Sequence, residues 1–168
     1  MAVKHTTKVN KFPEMRASIK TLDDLKINVG YIAGGELAWL AGIHEYGCRI
    51  AITDKMRRWL HANGLHVKKT TTHIVIPERS FLRAGFDQHN GEVLRKVDDL
   101  IPDVVEGAMA VDEFAKVIGL LMKSKIQAYA IDLKNPALHP FTIERTGNTN
   151  PLVGTGDMIG AIDWEMEK

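Results

Sequence analysis

Two hydrophobic spacings run along this chain, and they assign its elements. In LKINVGYIAG, Ile27, Val29 and Tyr31 alternate with Asn28 and Gly30, the period of a strand with one buried face. Gly34-Gly35 breaks that strand. ELAWLAGIHEYG then places Leu37, Leu40, Ala41 and His44 on one helical face, with Glu36 in the first turn and Gly47 as a stop. THIVIP reads as a second strand, closed by Pro77. ERSFLRAGFDQ carries a helical stripe of Phe81, Leu82 and Phe86, with Ser80 placed to cap it. NGEVLRKVDDLIPDVVEG continues helically through Leu94, Val97, Leu100 and Ile101 until Pro102, which should bend or end the helix. The most regular stripe is Val111, Phe114, Ile118, Leu121, Met122 and Ile126, with acids early and lysines late as the helix dipole prefers. A loop is expected from Asn135-Pro136 to Pro151. Ile162, Trp164 and Met166 then alternate with acids in a half-exposed final strand.

The pattern predicts an α+β fold in a single domain over 1–168, a small, mostly antiparallel sheet packed against two longer helices. Two stretches stand apart. Residues 1–14 are polar with a proline and are expected to be loosely ordered; they lack the apolar core of a secretory signal. Residues 49–73 hold Arg49, Lys55, Arg57, Arg58, Lys68 and Lys69. Asp54 is placed to cap a short helix there, whose apolar edge of Met56, Trp59 and Leu60 is too small to fold alone. The reading is a projecting basic arm, mobile in the free subunit.

Charge and composition narrow the classes. The net charge of +1 draws the whole chain toward neither nucleic acid nor membrane. Cys48 is the only cysteine, which excludes an intramolecular disulfide and a cysteine-based zinc site and fits a reducing cytoplasm. No apolar run approaches the roughly 18 residues of a membrane span.

Catalytic patterns are absent from the sequence. GYIAGG lacks the spacing of a dinucleotide turn, and His44-Glu45 is not H-E-x-x-H, because Cys48 stands where the second histidine belongs. His61 and His66 are five apart and do not share a helix face. None of Ser18, Ser80 and Ser124 lies in G-x-S-x-G, and Asp98-Asp99 reads as a solvated helix face. The expectation is no enzyme, no cofactor and no metal. A small hydrolase built on His44 and Glu45 has no partner spacing to support it. The alternative from another class is a nucleic-acid-binding module that grips phosphates with residues 49–69.

Four motifs, in order, carry a resemblance over roughly residues 25–168. They are Val29-Gly30 at a strand turn; His44-Glu45-Tyr46-Gly47 ending a helix; Ile76-Pro77-Glu78-Arg79-Ser80-Phe81-Leu82-Arg83; and Pro151-Leu152-Val153-Gly154-Thr155-Gly156-Asp157-Met158 before the last strand. Together with an Asn135-Pro136 and Thr142-Ile143 approach, this pattern resembles the neck, or head–tail connector, proteins of long-tailed bacteriophages. Ser80 stands where proline is common, Asp157 where glutamine is common, Thr146 where a basic residue is usual, and the 49–73 segment is longer than in compact members.

The resemblance implies a non-enzymatic virion protein that forms a homo-oligomeric ring, usually a hexamer, at the head–tail junction. Its implied partners are copies of itself, head-closure or connector proteins, and tail-tube or terminator proteins. Genomic DNA would pass through the channel without sequence-specific binding. The implied location is the virion, with assembly in the host cytoplasm. It leaves neck and tail-terminator roles open. The assembly or motif residues it points to are Trp59, Ile76, Pro77, Arg79, Phe81, Leu82, Arg83, Pro151, Leu152, Thr155, Gly156 and Met158. Phe81 and Trp59 are the expected contact anchors. Thr155 is the expected N-cap of a short helix with Gly156 at its first position, in a turn that docks the last strand.

Overall fold

The centre of the fold is an antiparallel helix pair. In the computed structural model, which describes residues 10–167, α4 (Leu82–Val105) packs along α5 (Val111–Asp132), and Lys125 Nζ reaches Glu92 Oε1 at 2.7 Å across the seam. The 3,4 spacing of α5 is what buries Phe114, Ile118, Met122 and Ile126. Around the pair stand α1 (Phe12–Asp24), β1 (Lys26–Gly30), α2 (Gly35–Tyr46), β2 (Cys48–Ala51), α3 (Asp54–Ala62) and β3 (His73–Ile76). The chain ends with α6 (Pro140–Thr146), α7 (Asp157–Gly160) and β4 (Asp163–Glu167). The fold is α+β: seven helices and two small antiparallel ladders among the described residues.

The strands form two ladders instead of the single sheet expected. β1 pairs with β4, placing Ile27 opposite Met166 and Val29 opposite Trp164, and this ladder lies on α5. β2 pairs with β3 in the separate ladder Cys48↔Ile76 to Ala51↔His73. Phe81, Leu152 and Ile162 close the core together with the apolar faces of α4 and α5.

Some local expectations hold and others need correction. The helix runs on through Asn90-Gly91, as the apolar spacing predicts. Burial of Val93 and Leu100 against the core holds one continuous helix, outweighing the ~1 kcal/mol that an interior glycine costs. Pro102 falls in its last turns, and the helix ends one turn later. Residues 12–14 begin α1, with Pro13 in the first turn and the Phe12 N–H donating to Asn10 Oδ1 at 3.1 Å. Residues 1–9 of the expected loose segment lie outside the described residues. The expected loop 135–151 contains α6, whose first turn is capped by His139 Nδ1 accepting from the Phe141 N–H.

The basic arm is built on its own ladder. Thr53, and not Asp54, caps α3, its hydroxyl accepting from the Met56 N–H at 3.2 Å. Arg57 holds the return path by donating to the carbonyls of Val67, Lys68 and Thr71. Leu60 is buried, and the Arg145 guanidinium of α6 lies 5.1 Å from the Trp59 ring centroid. The edge judged too small to fold alone is therefore completed by the ladder, the Arg57 clamp and α6. The chain reversal after Ala62 also brings His61 and His66 together, edge to face at 4.2 Å.

One packing detail yields a direct test. Gly119 on α5 faces the indole of Trp164 on β4 so closely that a Cβ would clash with ring carbons Cε3, Cδ2 and Cγ. Gly119→Ala is expected to push the β1–β4 ladder off α5 and cost about 1–3 kcal/mol of stability. A lowered urea midpoint at unchanged slope checks this.

Candidate functional site

The site begins with an acid at the wrong end of a helix. Glu45 lies in the last turn of α2, where the helix dipole disfavours a carboxylate, and it is only 2% exposed. Its partners come from the start of α4. Oε2 accepts from the backbone N–H groups of Phe81 (2.8 Å) and Leu82 (2.9 Å). Oε1 accepts from the Arg83 N–H (3.0 Å), Arg83 Nε (2.9 Å) and the Ser80 hydroxyl (2.8 Å). Phe81, at the N-cap position, makes no side-chain cap of its own. Glu45 thus caps α4 from another helix, satisfying amides that a helix N-terminus leaves open. Ser80, expected to be the cap, instead supports the capping carboxylate.

Burial alone would push the Glu45 carboxyl up. The Leu82 and Arg83 N–H groups, helped by the Ser80 and Arg83 side chains, outweigh it and hold the carboxyl below its ordinary value. Arg83 extends the joint by donating Nη2 to the Glu45 carbonyl and to Glu78 Oε1, and its guanidinium lies 4.7 Å from the Tyr46 ring centroid. Gly47 follows at φ 68°, and a Cβ there would sit 2.8 Å from both Glu78 N and Ile76 O. That close approach lets α2 and the end of β3 meet.

Arg79 is the second buried charge, 4% exposed. Its backbone N–H donates to the His44 carbonyl at 2.7 Å, and its guanidinium donates to the carbonyls of Pro136 and Ala137 at 2.7 and 3.0 Å. Burial pulls its pKa down. The neighbouring His44 has a buried Nδ1 with no hydrogen-bond partner among the described residues. Burial, and then the Arg79 charge, lower its pKa.

The last motif closes on the other side of α2. Leu37, Leu40 and His44 share a cavity of about 230 Å³ with Pro151, Leu152 and Met158. Asn150 Oδ1 accepts from the N–H groups of Leu152 and Val153, while its Nδ2 donates to the Ile131 carbonyl at 2.6 Å. Tyr31 donates its hydroxyl to the Met158 carbonyl at 2.7 Å, and Gln127 donates to the Ile159 carbonyl at 3.0 Å. Burial, and then the Glu45 charge, push the Tyr31 hydroxyl up to about 12.

The expected Thr155 cap is off by one residue. Gly156 is the N-cap of α7, at φ 91°, and Thr155 precedes it. A left-handed cap position suits glycine. The Thr155 hydroxyl donates to Asp157 Oδ2 at 2.6 Å and accepts from the Asp157 N–H at 3.4 Å. Thr155→Val is therefore expected to cost about 0.5–1.5 kcal/mol, and Thr155→Ser to cost little, in thermal or urea unfolding.

Of the residues singled out from sequence, Arg79, Phe81, Leu82, Arg83, Leu152 and Met158 converge around α2. Ile76 and Pro77 form the adjoining strand end. Phe81 is fully buried, which corrects its expected role as a subunit anchor. Trp59 lies apart on the arm, 49% exposed. Glu45 and Asn150 were not singled out as fold-holding residues. An acid in the last turn of a helix, two residues before its closing glycine, is the one sequence cue that points to Glu45. Its five donors fill the acceptor capacity that the hydrolase reading would need from it as a base. Among the described residues, no group of three His, Cys, Asp or Glu is placed to hold a metal, and no helix is long and apolar enough to cross a membrane. Comparison with protein-family models, with curated proteins and with solved structures finds no match.

Proposed function

We propose that this chain is a structural virion protein that forms a ring at the head–tail junction of a long-tailed phage. The observation that supports this best is the convergence of the resembling motifs. His44-Glu45-Tyr46-Gly47, the 76–83 segment and the 151–158 segment all meet at the C-terminal half of α2. Their polar groups hold backbone in place: Glu45 the start of α4, Arg79 the 136–137 carbonyls. Such a joint gives a rigid body from which exposed elements can contact neighbours. Trp39 and Tyr46, seven residues apart on α2, are 71% and 67% exposed and offer aromatic contact area of the kind interfaces use. The nucleic-acid reading is weakened, because Arg57 is bound to the arm's own carbonyls and Arg49 faces His73.

The test is genetic. A phage carrying a stop codon in this gene should accumulate DNA-filled heads and free tails, which purified protein joins into infectious particles. Complete infectious virions formed without the protein would sink the proposal.

A further inference from the structure

Charge is separated to the two ends of this molecule. Residues 97–115, the elbow joining α4 to α5, carry Asp98, Asp99, Asp103, Glu106, Asp112 and Glu113 and no lysine or arginine. All six are exposed. Residues 49–69, in the arm, carry six cations against one acid, Asp54. Lys55, Arg58, Lys68 and Lys69 are exposed and form no ion pair among the described residues. The arm is rooted where Glu45 holds the first turn of α4, whereas the elbow follows the last turn. α4 has 24 residues, so the poles are separated by a helix of about 36 Å.

The acidic pole has an apolar seat beside it. A groove of about 870 Å³ between α4 and α5 is lined by Val117, Leu120 and Leu121 together with Asp98 and Asp99. Arg95 and Lys96 also line it, one turn farther from the elbow along α4. Leu120 is 43% exposed there.

We propose that copies of this chain associate head to tail, the basic arm of one copy seating on the acidic elbow and apolar groove of the next. Complementary charge identifies the occupant: the chain itself carries the cationic segment that the elbow would attract. A contact between two different patches of one chain is heterologous, and it closes into a ring when the rotation per copy allows. The inference rests on the ring reading for closure, but the pole-to-pole contact is tested separately.

Two charge-reversed variants decide it. One replaces Lys55, Arg58, Lys68 and Lys69 by Glu; the other replaces Asp98, Asp99, Asp103 and Glu106 by Lys. Neither touches Arg57 or Glu45, and a circular-dichroism melt verifies each fold. Matching Gln and Asn variants serve if a reversal fails to fold. In sedimentation velocity the parent should self-associate at low salt and dissociate as salt rises. Each reversed variant alone should associate at least about tenfold more weakly. Mixing the two reversed variants should restore association, since each then offers the pole the other needs. For the neutral variants, weakening without restoration is expected.

A parent that stays monomeric at low salt overturns the proposal, as does association indifferent to the reversals or to salt. Salt-dependent binding of a mixed-sequence DNA duplex by the arm, with no self-association, overturns it in favour of nucleic acid. Failure of the charge swap beside normal head–tail joining would remove this contact and leave the ring reading standing. A working swap in a protein not needed for joining would do the reverse.

Discussion

Glu45→Ala is expected to destabilise the protein by about 3–5 kcal/mol. The change strands the N–H groups of Phe81, Leu82 and Arg83 at the start of α4, and each unsatisfied buried donor costs about 1–3 kcal/mol, less where water reaches Arg83. Glu45→Gln should fall between, because its amide keeps one acceptor oxygen but turns an N–H₂ group toward donors. The same joint sets a pH dependence. The folded Glu45 pKa lies below its ordinary value, so its contribution is present above the unfolded carboxyl value and is lost as pH falls through the folded one. His44 acts at higher pH. Its folded pKa is lowered from 6.5, so the unfolded chain takes up a proton first and stability declines as pH falls below that value. Urea midpoints should therefore drop in two stages on acidification. His44→Leu should remove the upper stage and Glu45→Ala the lower. A parent midpoint flat below the ordinary histidine value of 6.5 would contradict the His44 assignment, and one that does not fall again below the ordinary carboxyl value of 4.5 would contradict the Glu45 assignment.

Gly47→Ala should be nearly as damaging, at about 2–4 kcal/mol. The residue has φ 68°, where a side chain is strained by about 1–2 kcal/mol. Its Cβ would also meet two backbone atoms of the β3 end at 2.8 Å, which cannot rotate away as a side chain could. Glu45 and Gly47 secure the same crossing between α2 and the 76–83 segment. Their effects should not add: once Glu45→Ala has freed the start of α4, the clash at position 47 is relieved by a shift of that segment. The double variant should lose at least about 0.5 kcal/mol less than the two single losses together. Strict additivity would mean that the two residues act on separate parts of the fold.

Much of this architecture is legible in the sequence, and the boundary is physical. The α5 stripe and the alternation of β1 and β4 announce themselves because each buries one face, and burial is what periodicity reports. The run of α4 past Asn90-Gly91 is legible for the same reason: the spacing of Leu94, Val97 and Leu100 continues across the glycine, and packing on α5 outweighs its cost. α1 and α6 leave little pattern in the sequence, because neither has a fully buried residue. The motif residues around α2 were marked by resemblance, but their physical role was not. Glu45 and the amides it caps are separated by 36 residues at Phe81, and no local rule pairs an acid ending one helix with the opening of another. At Thr155 the local rule chose the hydroxyl over its neighbour, whereas the backbone there needs the left-handed conformation that Gly156 supplies.

The ring proposal meets its most direct test in a cryo-electron microscopy reconstruction of the virion whose genome encodes this chain. The head–tail junction should contain a ring of identical subunits into which the paired helices α4 and α5, the β1–β4 ladder and the β2–α3–β3 arm fit without rearrangement. A fully traced junction built from other proteins, with this chain missing from the mass spectrum of the purified particle, would contradict it.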